Sequence, residues 1–185
     1  MSDEFSGKLE LTWPNKDKIY IWDHNQRKYR WVSSDNIMVK EVRILKEKLV
    51  VGDPNTKYNE ETRKWEKYKK ILDKSEHNLL IKGDNLLALK SLEPDFTGKI
   101  KLIYIDPPFN TGIAYEQYDD GLEHSIWLSM MKSRLEVLNK LLAKDGVIVV
   151  HIDYREEARV KLVMDEIFSN GYRNTIIVKR GTKNV

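Results

Sequence analysis

Two stretches decide the fold: Leu79–Pro94, LLIKGDNLLALKSLEP, and Lys101–Phe109, KLIYIDPPF. Each begins as a short apolar run and stops at an acidic turn, Gly83-Asp84-Asn85 in the first and Asp106-Pro107-Pro108 in the second. The first is followed by leucines at positions 86, 89 and 92, spaced for one helix face, with Pro94 as the expected stop. Working outward, residues 123–143 carry Leu128, Met131, Leu135, Leu138 and Leu142 three and four apart, with Gly146 as the terminator. Val147–Ile152 (VIVVHI) is a continuous apolar run, expected as a strand buried on both faces. Residues 155–169 place Val160, Val163, Met164, Ile167 and Phe168 on one stripe closed by Asn170-Gly171, and Thr175–Val178 begins a fourth strand. Strands alternating with helices predict an α/β fold, a partial doubly wound and mostly parallel sheet with helices on both faces.

Residues 1–78 differ in character and are expected as an N-terminal extension, with a partial catalytic domain over 79–185. Lys18–Trp22 (KIYIW) and Lys28–Val32 (KYRWV) alternate about the polar Asp23–Arg27 and predict a hairpin. Asp53-Pro54-Asn55 is a turn signal, and Asn59 is placed to cap a short helix with Trp65, Tyr68 and Leu72 on one face.

Composition bounds the function. Of 185 residues, 41% are hydrophobic and 33% charged, a globular balance, and the formal net charge of +3 permits but does not itself indicate nucleic-acid binding. The longest apolar runs are too short for a bilayer and the polar, acidic N-terminus is unlike a secretory signal, so the cytoplasm is the expected address, without a membrane partner. Zero cysteines exclude disulfides, thiolate metal sites and a cysteine nucleophile within the chain, and no metal is expected. Chemistry at a ring carbon that needs covalent activation is therefore disfavoured, whereas an exocyclic amine is already a nitrogen nucleophile.

Ligands of open parallel sheets bind beyond the carboxyl ends of the strands. Asp84, Asp106 and Asp153 all follow predicted strands, so they face a shared crevice if those strands are neighbours. The Asp106 carboxylate and the Pro107 carbonyl can accept the two hydrogens of a base amine and turn its lone pair towards an electrophile. Consecutive prolines fix the backbone around those acceptors in advance. Phe109 offers a face for a flipped base, worth roughly 1–3 kcal/mol of stacking. Asn110-Thr111-Gly112 continues a polar loop able to admit it. Asp84 is open to two roles, capping the next helix or binding a ligand, and both can hold together. His151 is expected as a core residue. The basic and aromatic run 16–31 is expected as a plain hairpin with a solvated face rather than a DNA clamp. Lys179, Arg180 and Lys183 are expected as a charged tail.

LLIKGDNLLALKSL, KLIYIDPPFNTG, DDGLEHSIWLSMMKSRLEVLNKLLAKDGVIVVHID and VKLVMDEIF resemble the β-type adenine-N6 DNA methyltransferases, and within them the modification subunits of type III restriction–modification systems. The resemblance covers about residues 79–178 and the opening LELTWPNKDK. It implies transfer of a methyl group from S-adenosylmethionine to adenine in double-stranded DNA, with catalytic Asp106, Pro107, Pro108 and Phe109. It also implies cofactor contacts at Gly83, Asp84, Asn85 and Asp106, DNA contacts at Phe109, Asn110, Thr111 and Gly112, and a helix from Glu123 lining the cofactor pocket. Because amino-cytosine enzymes share the tetrapeptide, N4 of cytosine is the alternative target, and a non-catalytic remnant or interaction fragment is the alternative to an enzyme.

Three departures stand out. Tyr154 and Arg155 follow Asp153 where the family has a second acidic residue. Residues 18–43 look like an insertion. No Phe-x-Gly-x-Gly segment is present, so the methionine end of the cofactor is expected to need a C-terminal half or a partner chain. A homodimer and a restriction subunit are further partners the resemblance implies.

Overall fold

The computed structural model describes residues 10–23, 25–41, 44–46, 57–59, 64–66, 78–110, 114–115, 118–119, 123–169 and 171–179. Its centre is a parallel pair of strands, β5 (Ile100–Ile105) and β8 (Leu142–Val150), in register from Leu102↔Val147 to Ile105↔Val150. A parallel pair needs a long crossover, and helix α3 (His124–Leu141) supplies it. The expected spacing holds: Leu128, Met131, Leu135 and Leu138 are buried on α3, and they meet Ile103 of β5 and Val160 and Val163 of helix α4 (Glu157–Phe168) in one cluster. Helix α2 (Asn85–Phe96) packs beside α3 through Leu86, Val137 and Leu141. Bonds from Arg134 to Asn85 and from Lys140 to Glu93 show that α2 and α3 run the same way. All three helices thus start at the edge of the molecule where β5 and β8 end.

The N-terminal segment is sewn into this core. Trp13 is buried and donates its indole N–H to Ser129 Oγ at 2.7 Å, while the Leu11 amide donates to Glu166 at 2.9 Å. Strands β1 (Lys18–Asp23) and β2 (Lys28–Ser33) form the predicted antiparallel hairpin, followed by the single turn α1 (Ile37–Lys40). One face of the hairpin buries Ile21 and Val32 against Val39. The other carries the cross-strand pairs Tyr20–Trp31 and Trp22–Tyr29. Two small antiparallel ribbons complete the described elements, β3 (Lys57–Asn59) with β4 (Lys64–Glu66) and β6 (Ala114–Tyr115) with β7 (Tyr118–Asp119).

Several expectations are corrected. The helix expected after Asn59 gives way to an antiparallel ribbon in which Trp65 is the register partner of Tyr58. Asp53–Asn55, Tyr68 and Leu72 lie outside the described residues. Leu79–Lys82 and Thr175–Val178 are not strands: Leu80 is 99% exposed and Ile177 91%, and neither segment finds a ladder partner among the described residues. Pro94 does not stop α2 but sits in its last turn, and the helix ends two residues later at Phe96. VIVVHI is covered on one face only, because α3 and α4 lie on the side of Ile103, Ile105 and Ile148, leaving Leu102, Tyr104, Val147 and Val149 exposed. The helices are therefore on one face of the described sheet rather than both.

Helix α3 ends at Leu141, before Leu142 and Gly146, and both of those residues belong to β8. Gly146 serves a close approach instead. A Cβ there would stand 2.8 Å from the Ile100 carbonyl oxygen, next to the register shift between Ile100 and Leu102. Backbone cannot yield as a side-chain tip does, so Gly146→Val is expected to cost about 1–3 kcal/mol. Urea unfolding with a lower midpoint and unchanged slope is the expected result, and an unmoved midpoint would contradict it.

Candidate active site

The ladder between β5 and β8 ends where Asp106-Pro107 begins, since proline has no N–H to continue it. The last rung is a bond from the His151 amide to the Ile105 carbonyl at 2.9 Å, which brings the two strand ends side by side. Asp106 is more than half exposed at this edge, and its carboxylate lies 3.2 Å from His151 Nδ1. The Phe109 ring meets the His151 ring edge to face at 5.2 Å. His151 is thus not the core residue expected from its place in VIVVHI: β8 stops at Val150, so the imidazole lies past the strand, half exposed, between Asp106 and Phe109.

The prolines divide the loop's work. Asp106 faces outward, whereas the Pro108 carbonyl turns inward and accepts the indole N–H of Trp127, itself 0% exposed, at 2.8 Å. Asn110 follows with φ 56°, a left-handed conformation that asparagine tolerates better than most residues. Its side-chain amide donates to Glu156 Oε1 at 2.6 Å. Glu156 is fully buried just before α4, and its carboxylate also meets His124 Nδ1 at the start of α3 and lies 3.5 Å from Arg159. One buried carboxylate therefore joins the loop to both helices that cover the sheet.

Glu156 was not legible as a site residue, because a charged residue opening a helix reads as solvated or as favouring the helix dipole. The available signal was its place three residues after Asp153, beyond a strand end. Asp153 itself is committed locally, accepting the Arg155 amide at 2.8 Å and pairing with the Arg155 guanidinium, which also lies over the Tyr154 ring.

Gly83 lies in a bend before α2, and no atom stands within 4 Å of where a Cβ would project. Asp84 is the N-cap of α2, its Oδ1 accepting the Leu87 amide at 3.1 Å, and its other oxygen is 3.8 Å from Arg134. Asn85 accepts from Arg134 Nε at 2.5 Å. The capping role left open for Asp84 is the one observed, and a carboxylate with four lone-pair sites retains acceptors for a ligand. Thr111, Gly112, Arg180 and Lys183 lie outside the described residues, while Lys179 is exposed in a segment without regular secondary structure. No group of three or more metal-ligating side chains occurs among the described residues, and no helix there is long and apolar enough to cross a membrane.

Residues 100–184 match the family described as DNA methylase. The probable type III restriction-modification enzyme HindVI Mod subunit of Haemophilus influenzae is 53% identical over 103 residues, covering 55% of this chain and 14% of that protein. The type III restriction-modification enzyme StyLTI Mod subunit of Salmonella typhimurium is 37% identical over 127 residues, 54% of this chain and 20% of that protein. The type III restriction-modification enzyme EcoP15I Mod subunit of Escherichia coli is 34% identical over 143 residues, 60% of this chain and 22% of that protein. The chain spans less than a quarter of the length of each of these relatives.

Proposed function

We propose, from the premise that residues 100–184 carry DNA methylase sequence and that the chain is a partial relative of type III modification subunits, that it provides the base-activating half of an adenine-N6 DNA methyltransferase. The observation that carries this reading is the strand-end loop. It exposes the Asp106 carboxylate beside Phe109 while Trp127 holds the same loop from behind. Such a loop is preorganised, as electrostatic catalysis requires.

In this reading adenine is flipped from double-stranded DNA and stacks on Phe109, admitted by Asn110, Thr111 and Gly112. Asp106 and the Pro107 carbonyl accept the N6 hydrogens and turn the nitrogen lone pair outward, and Pro108 fixes the loop through its carbonyl. S-adenosylmethionine, when bound, supplies the electrophilic methyl group. Gly83, Asp84 and Asn85 would hold it together with Asp106, and the open space over Gly83 fits a ligand approaching the backbone there.

The finer organisation belongs to the same proposal. Residues 1–78 act as the extension and 79–185 as part of a Rossmann-like, doubly wound domain working in the cytoplasm. The exposed residues Leu102, Tyr104, Val147 and Val149 are the apolar face that further strands and helices would cover in the whole enzyme. The glycine-rich loop for the methionine end of the cofactor comes from a C-terminal half or a partner chain, and a second modification subunit and a restriction subunit complete the assembly. Its test is the product. With labelled S-adenosylmethionine, mixed-sequence DNA and the complementing half, label is expected in N6-methyladenine. Label in N4-methylcytosine would overturn the choice of base, and no label under any complementation would favour a non-catalytic fragment.

A further inference from the structure

A cleft of about 490 Å³ opens between the turn end of the β1–β2 hairpin and the start of α2. That is within the range of small-molecule sites, roughly 300–1,000 Å³. Its lining brings together Trp22 and Tyr29 from the hairpin, Ile81 and Leu87, and Gly83 with Asp84. The hairpin is the segment that resembles an insertion, and nothing in the methylation reading so far uses it.

The aromatic pair is firmly held. Trp22 and Tyr29 are direct cross-strand partners, with ring centroids 5.1 Å apart at 70°. Just beyond Trp22, the buried Asp23 accepts the amides of Asn25 at 2.9 Å and Gln26 at 3.1 Å, and lies 2.9 Å from Arg30 Nε. The turn that presents the pair is therefore tied to a buried carboxylate, and Ile21 on the opposite hairpin face is in the core. Across the cleft, Gly83 presents bare backbone with open space above it.

Aromatic and aliphatic walls, a bare glycine and one carboxylate with acceptors to spare suit a flat heterocycle bearing N–H donors joined to a hydroxylated sugar. Aromatic faces accept such rings by stacking, and a carboxylate accepts from amine or ribose hydroxyl. We propose that Trp22 and Tyr29 form the wall of an adenosine subsite, so that the hairpin completes the cofactor site begun by Gly83 and Asp84. The inference rests on the methyltransferase reading and extends it to residues outside the DNA methylase match.

Calorimetric titration of the full chain with S-adenosylmethionine, and separately with adenosine, tests this without turnover. Trp22→Ala and Tyr29→Ala are expected to weaken both ligands tenfold or more. Trp31→Ala is the control, since Trp31 belongs to the same aromatic ladder but does not line the cleft, and it should stay within twofold. Gly83→Val guards against misfolded variants: open space lets it fold, while its side chain enters the cleft and should abolish binding. Equal affinities across the set would overturn the subsite. So would a wild-type chain that binds neither ligand, and the role of Asp106 would still be judged separately by base methylation.

Discussion

Replacing Asp106 with alanine is expected to lower methyl transfer by about 10²–10³-fold or more in an enzyme assembled around this chain, the scale for losing a preorganised polar group at the reacting atoms. DNA affinity is expected to stay within twofold, because Asp106 is more than half exposed at a strand end and its carboxylate lies against the half-exposed His151 rather than in the core. The measurement is label transferred from S-adenosylmethionine to DNA under single-turnover conditions, alongside a DNA-binding titration. Asp106→Asn separates shape from charge. It keeps one oxygen acceptor at the same place, so it should retain more activity than alanine and less than the native residue. Undiminished turnover in the alanine variant would remove Asp106 from the mechanism. A loss of rate matched by an equal loss of DNA affinity would make it a binding residue instead.

Trp127→Ala is expected to have the largest effect on stability, about 3–5 kcal/mol, the range for emptying a fully buried large aromatic site. Trp127→Phe is the informative companion. It keeps most of the apolar volume but removes the indole N–H, leaving the Pro108 carbonyl without its 2.8 Å partner. That should cost about 1 kcal/mol. It should also loosen the loop, read as faster hydrogen exchange at Phe109 and Asn110 with little change in α3 itself. If exchange in the loop were unchanged in Trp127→Phe, the anchoring role assigned to the indole would be wrong and only its packing role would remain.

These two residues show what was legible from sequence. Asp106 to Phe109 could be placed at a strand end because prolines terminate a ladder by their chemistry. The apolar stripes of α3 and α4 could be read because helical spacing fixes which side chains share a face. Trp127 fell outside the stripe as it was read, yet it is the most buried aromatic of the core and the loop's anchor. Short apolar runs gave the right prediction for β5 and the wrong one for Leu79–Lys82 and Thr175–Val178. Those patterns describe what a strand needs from its side chains, not whether a neighbouring ladder is there to receive it. The strand expected to run to Ile152 stops two residues earlier, at Val150, enough to move His151 from the core to the side of Asp106. Glu156 was missed for a different reason: its partners, Asn110 and His124, lie 46 and 32 residues away, and only the tertiary arrangement brings them to one carboxylate.

The seam that binds Trp13 to Ser129 and Leu11 to Glu166 spans 116 and 155 residues of chain. During synthesis the first of these residues leave the ribosome long before their partners exist. The hairpin can close locally while the growing chain waits, but the segment before it has nowhere to dock until α3 and then α4 have been made. Contacts of such long sequence separation are reached late and slowly, because loop closure must be completed before they form. Leu11 and Trp13 are therefore among the last residues to find their places, and they fasten across two helices that must already be standing.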